Sequence, residues 1–205
     1  MPMIKRGGLV GRIAVAAAAM AALALPSGAL AGDNPCNLPQ TSKVFAQFGD
    51  DNNYYLATGG AFEYSLLGLV PQTLAWTGLP EVRWENEPYR LAGKDHRTSI
   101  RLRPGVFVAK AGQCVSEDQP HARFVARSLG SGDLVVRVDT LDLRGGLRSK
   151  TTVVRAADHA TWAPTRFIDL DTSGMRPGET ALATITIISR GDWLVDDVFI
   201  DPYAR

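Results

Sequence analysis

Leu194-Val195-Asp196-Asp197-Val198-Phe199-Ile200-Asp201, near the end of the chain, is the stretch that decides the fold. Short runs of this composition read as β-strand. Leu194, Asp196, Val198 and Ile200 share one parity. If the apolar members face the core, Asp196 points inward with them. A buried carboxylate is costly unless it is paired or bound to a cation, so Asp196 is predicted to have a partner. Asp197 falls on the opposite parity with Phe199 and Asp201 and is expected to be solvated.

The runs upstream repeat the pattern. Leu134, Val136 and Val138 share a face; Leu141 and Leu143 take the other parity, which predicts a bulge near Asp139-Thr140. Residues 99–102 and 105–109 read as two strands joined by a tight turn at Arg103-Pro104, and residues 121–129 as another. Residues 180–189 are apolar or Thr on both parities, predicting a central strand covered on both faces. Turn signals separate these runs: Gly59-Gly60, Pro104-Gly105, Gly145-Gly146, Pro177-Gly178 and Gly191-Asp192 among them. Short strands between regular turns predict an all-β antiparallel sandwich. Only residues 65–71 could be helical.

The N-terminus reads differently. Lys5, Arg6 and Arg12 precede an apolar run over residues 13–25, followed by Pro26, Ser27, Gly28 and Ala29-Leu30-Ala31. This is the build of a secretory signal peptide over residues 1–31, with a single domain expected over 32–205. The apolar run is shorter than the ~20 residues that span a bilayer, and no later segment is long and apolar enough, so no transmembrane segment is expected in the mature chain. Of 22 basic and 21 acidic residues, three bases belong to the leader. The near-neutral remainder argues against nucleic acid as a partner. Cys36 and Cys114 are the two cysteines, and in an oxidising compartment an even count predicts one disulfide. Closing so long a loop would stabilise by about 4 kcal/mol in the chain-entropy picture.

Gly59-Gly60-Ala61-Phe62-Glu63, Trp76, Ser99-Ile100-Arg101-Leu102, Trp162 and Trp193-Leu194-Val195-Asp196-Asp197-Val198 together resemble the galactose-binding-like jelly rolls, which include many carbohydrate-binding modules. Cys36-Asn37-Leu38-Pro39, Phe48-Gly49-Asp50, Asn86-Glu87-Pro88-Tyr89 and Asp201-Pro202-Tyr203 resemble a narrower group of secreted bacterial proteins. The resemblance implies a jelly-roll sandwich and a structural calcium ion held by Glu63 and Asp196, with carbonyls around residues 94–96. The alternative is a carboxylate satisfied by backbone N–H groups or by Arg97 without metal. The chain departs from the family at residues 64–70, which are unusually apolar: extra core, or a surface that meets a partner.

Sugar rings dock on aromatic side chains flanked by hydrogen-bonding groups. Trp76 and Trp193 sit in β-runs beside apolar neighbours and are expected in the core. Trp84, with Asn86, Glu87 and Tyr89, is the candidate carbohydrate platform; an amphipathic edge strand without ligand is its alternative. His96, His121 and His159 lack metal-type spacing, no nucleophile elbow is present, and Asp95-His96 reads as an ordinary loop. The expected function is a secreted, monomeric, non-catalytic module binding a glycan or cell-wall polymer. The rivals are a cell-envelope interaction protein using residues 66–70, and a hydrolase with an unrecognised site.

Overall fold

The structure is a computed structural model that describes residues 40–63, 75–78, 80–91 and 96–201. The chain divides into units 1–32 and 33–205, and every described residue belongs to the second. The expected leader, Cys36 and the apolar segment 64–70 lie outside the described residues. None of the described helices is long and apolar enough to cross a membrane.

Two antiparallel sheets face each other. One carries β1 (Tyr55–Leu56), β3 (Glu81–Arg83), β4 (Ser99–Leu102), β6 (His121–Ser128), β9 (Ala163–Pro164), β10 (Ile168–Asp169) and β12 (Trp193–Asp201), with central order β10-β6-β12-β4-β3. The other is ordered β2-β5-β11-β7-β8, from β2 (Thr77–Gly78), β5 (Phe107–Ser116), β11 (Thr180–Ser189), β7 (Leu134–Asp142) and β8 (Leu147–Val154). Strands β4 to β7 alternate between the sheets. The tight turn at Arg103 is present, with Val106 N–H donating to Arg103 O at 2.9 Å. It carries the chain from one sheet to the other rather than closing a hairpin.

The core lies between the sheets. Ile100, Phe124, Trp193, Val195, Val198 and Ile200 meet Val108, Val136, Val138, Ile185 and Ile187. A second cluster, Phe45, Tyr54, Val125, Trp162, Leu194 and Phe199, closes the far side of β12. Every residue of β12 is therefore buried.

Three sequence expectations change here. β11 is central, but its burial alternates and Leu182 is 49% exposed; the strand covered on both faces is β12. The β7 register runs unbroken through Asp139 and Thr140. Leu141 and Leu143 simply face outward, and the irregularity falls instead between β5 and β11, at Ala183/Ile185. Within β12, Trp193 and Val195 enter the inter-sheet core while Leu194 enters the second cluster; beyond Asp197 the parity is reversed. The cause is a register shift against β6 between Asp196 and Phe199, with Asp197 at φ 49°. One inserted residue is what a β-bulge requires, and bulges re-aim side chains.

The 57–60 turn is clamped to this bulge. Ala57 N–H donates to Val198 O at 2.8 Å and Val198 N–H to Gly60 O at 3.0 Å. A Cβ on Gly60 would lie 2.7 Å from Val198 O and 3.0 Å from Ala57 O. The expected result of Gly60→Ala is a loss of about 1–3 kcal/mol of stability, read as a lower urea midpoint at unchanged m-value.

Candidate functional site: a buried acidic cluster and an open cleft

Glu63 follows the clamped turn directly, after Phe62 at φ 52°. Its Oε1 accepts from Arg97 N–H at 2.6 Å and Thr98 N–H at 3.0 Å. The Thr98 hydroxyl lies 2.9 Å from Phe62 O and 3.2 Å from Glu63 Oε2. Glu63 thus fastens the start of β4 to the N-terminal turn, and its carboxylate is largely satisfied by backbone.

Glu87 and His96 come from the two ends of a connection between β3 and β4. The Glu87 side chain is fully buried. Its Oε1 accepts from Leu91 N–H at 3.1 Å, and its Oε2 meets His96 Nε2. Asn86 donates to His96 O at 3.2 Å, which fixes the histidine's backbone. The opposite ring nitrogen, Nδ1, lies 3.8 Å from Asp197 Oδ2. Burial alone would lower the His96 pKa, but the Glu87 hydrogen bond and the Asp197 and Glu87 charges outweigh it and raise it.

Asp196 and Asp197 complete the group, both at 0% exposure. Asp196 Oδ1 accepts from Asp197 N–H at 3.0 Å. Asp196 Oδ2, both Asp197 oxygens and His96 Nδ1 have no hydrogen-bond donor or acceptor paired with them among the described residues. Burial pushes both aspartate pKa values up. The charges of Asp197, Glu87 and Glu63 push Asp196 further; Glu87 does so for Asp197, partly offset by His96. The Glu87 and Asp197 carboxylates offer oxygens within 4.8 Å of each other, and two buried acids so close favour a shared proton or a cation between them.

The expected pair Glu63 and Asp196 therefore falls within one electrostatic neighbourhood. The solvated Asp197 of the sequence reading is instead buried, because the second cluster covers the far face of β12 and leaves neither parity of the strand in solvent. Glu87, His96 and Asp197 form a group whose possible ligand atoms lie within 4.8 Å of one another. No spacing in the sequence announces them, since they come from three separate segments.

The carbohydrate platform does not assemble as expected. Trp84 is 73% exposed. Glu87 turns into the acidic cluster, so it cannot stand beside Trp84 on the surface. Asn86 is engaged with His96. The Tyr89 hydroxyl donates to Trp162 O at 2.7 Å, and its ring meets Phe48 edge-on at 4.7 Å. Tyr89 is a strut between the second cluster and the loop. Trp76 and Trp193 are core residues.

An open cleft of about 560 Å³ lies elsewhere, lined by Asp50, Asp51, Asn52, Arg123, Arg166 and Phe167. Phe167 is 46% exposed and is backed by His121, stacked at 4.7 Å. The Arg123 guanidinium sits 5.3 Å from the Phe167 centroid and 4.6 Å from that of Phe45. It pairs with Asp50 and donates to Thr165 O at 2.8 Å. A smaller hollow of about 150 Å³ continues past Arg166 and Phe167 toward Thr152 and Asp158.

Burial works against the Asp50 charge, but hydrogen bonds from Tyr54, Asn52 and Arg123 prevail and hold its pKa below the ordinary 3.8. A carboxyl depressed in the folded state adds stability above its unfolded pKa and loses it as pH falls through the folded value. The Asp50→Asn protein is therefore expected to be less stable than the parent at neutral pH, with the gap narrowing below about pH 4. Urea midpoints across that range measure it.

No family model matches the sequence, and no curated protein matches it. Solved jelly-roll carbohydrate-binding modules are similar in structure. The C-terminal family 22 module of a Clostridium thermocellum xylanase has a TM-score of 0.41 and 17% identity, covering 76% of this chain and 98% of that one. The C-terminal family 6 module of a laminarinase from Zobellia galactanivorans has a TM-score of 0.40 and 12% identity, covering 73% and 99%. A family 43 arabinoxylan arabinofuranohydrolase from Bacillus subtilis, in complex with cellotetraose, has a TM-score of 0.43 and 12% identity, covering 62% of this chain. This chain spans only 27% of that enzyme's length, and 28% of a two-module xylanase structure from Clostridium thermocellum.

Proposed function

We propose that the chain is an exported, non-catalytic β-sandwich module that binds carbohydrate, bridged by Cys36 and Cys114 and carrying a structural calcium ion. The observation that carries the glycan reading is the cleft at Phe167. It joins an exposed aromatic face to carboxylate, amide and guanidinium groups, the combination that docks a sugar ring and fixes its hydroxyls. The sugar-binding residues are then Phe167, Asp51, Asn52 and Arg166, with Asp50 and Arg123 holding the wall. Trp84 is a second exposed aromatic outside this cleft.

Retention in native gels containing cell-wall or plant polysaccharides tests the reading. Phe167→Ala is expected to weaken retention by about two- to twelvefold, since the face of one aromatic ring contributes on the order of 0.5–1.5 kcal/mol beyond its buried area. Trp84→Ala is expected to leave it unchanged. Retention lost in Trp84→Ala and kept in Phe167→Ala would move the site back to the sequence-derived platform. No retention by the parent chain on any glycan refutes carbohydrate binding.

Calcium on Glu63 and Asp196 suits the oxygen-only donors of that pair. Asp196 Oδ2 has no partner among the described residues, while Glu63 keeps lone pairs beyond its backbone bonds. An ion that binds only the folded state must raise its stability. Calcium added to chelator-stripped protein is therefore expected to raise Tm, and Glu63→Gln to remove the rise. An unchanged Tm removes calcium from the reading.

A further inference from the structure

The unpaired atoms of the acidic cluster are not all oxygens. Among the described residues, His96 Nδ1 is buried without a hydrogen-bond partner, opposite an Asp197 carboxylate with neither oxygen satisfied. The His96 side chain is 2% exposed and that of Asp197 is fully buried. Calcium accepts oxygen ligands; a nitrogen donor set beside carboxylate suits a borderline ion such as zinc.

We propose that His96 Nδ1 and the Asp197 carboxylate bind one Zn²⁺, at a site chemically separate from the calcium pair Glu63 and Asp196. The 3.8 Å gap between Nδ1 and Oδ2 is close to the ~3.3 Å edge of a tetrahedron built on Zn–N and Zn–O bonds of about 2.0–2.1 Å. The other face of the ring supplies the second observation. Nε2 is held by the Glu87 carboxylate, and Glu87 is itself anchored by Leu91 N–H. A metal-binding imidazole characteristically donates its remaining N–H to a carboxylate, which fixes tautomer and ring orientation. Glu87 is thus a positioning residue. It leaves Nδ1 as the lone-pair nitrogen, aimed at Asp197.

Charge points the same way. Glu63, Glu87, Asp196 and Asp197 are buried acids, and a neutral, metal-bound His96 contributes nothing to offset them. A divalent ion on His96 and Asp197, with a second on Glu63 and Asp196, balances the four carboxylates, so none needs to hold a proton.

The test uses the full chain stripped with chelator. Calorimetric titration with ZnCl₂ is expected to give one ion per chain and a rise in Tm. His96→Gln is expected to abolish that binding while retaining any calcium response. Glu87→Gln is expected to weaken zinc by about 10- to 100-fold, the range for an orienting carboxylate. Absence of zinc binding by the parent overturns the proposal, as does undiminished binding by His96→Gln. If His96→Gln does not fold, the parent decides: with ¹⁵N-labelled histidine, the His96 Nδ1 resonance must shift on addition of one equivalent of zinc, and a stationary resonance overturns the assignment. A calcium response abolished by Glu63→Gln in a chain that ignores zinc refutes this inference alone and leaves the calcium reading intact.

Discussion

Glu63, Glu87, Asp196 and Asp197 crowd into a space that water scarcely reaches, and the rest of the domain is arranged around keeping them there. β12 delivers two of the acids at a bulge, in a strand with no exposed residue. The clamp between residues 57–60 and Val198 delivers Glu63. The connection from β3 to β4 brings Glu87 and His96. Four carboxylates in low dielectric repel strongly. Backbone N–H groups relieve Glu63, and an imidazole relieves Glu87. Among the described residues the aspartates keep unpaired oxygens, and unpaired buried charge is among the most costly features a fold can carry.

The sandwich is also sealed twice around the same strand. The inter-sheet core takes Trp193, Val195, Val198 and Ile200, and the cluster built on Phe45, Tyr54 and Trp162 takes Leu194 and Phe199. Arg123 connects this outer layer to the cleft, since it lies over Phe45 on one side and near Phe167 on the other while pairing with Asp50. Arg123 is thus held on several sides in the cleft wall, and the exposed Phe167 ring is stacked on His121 behind it. Arg123 of the cleft stands on β6, the strand that pairs with β12, which carries Asp196 and Asp197.

Much of the β architecture was legible. Alternation gave β6 and β7, and the turn at Arg103-Pro104 ends a strand where the sequence places it. The burial of Asp196 was legible too, because an acid among apolar residues violates the local pattern and such violations mark special sites, although Leu194 on its parity enters the second cluster and not the inter-sheet core. The fate of Asp197 was not. A strict period of two assigns it to solvent, but β12 is covered on both faces, so neither parity reaches water. Glu87 failed too: beside Trp84 it reads as a surface group, yet its side chain is fully buried against His96.

By itself, the sequence determined the all-β class, the central position of residues 180–189, the burial of Trp76 and Trp193, and the presence of an inward acid near the end of the chain. Each follows from local periodicity and side-chain hydrophobicity, which act over a few residues. Only the tertiary structure decided that His96 faces Asp197, that Glu87 stands behind His96, and that Phe167 shares a cleft with Asp50 and Arg123. Glu87 and His96 are nine residues apart, and the other pairs join segments tens of residues apart, brought together by the packing of the sheets and their connections. No pattern along the chain encodes a distance across it.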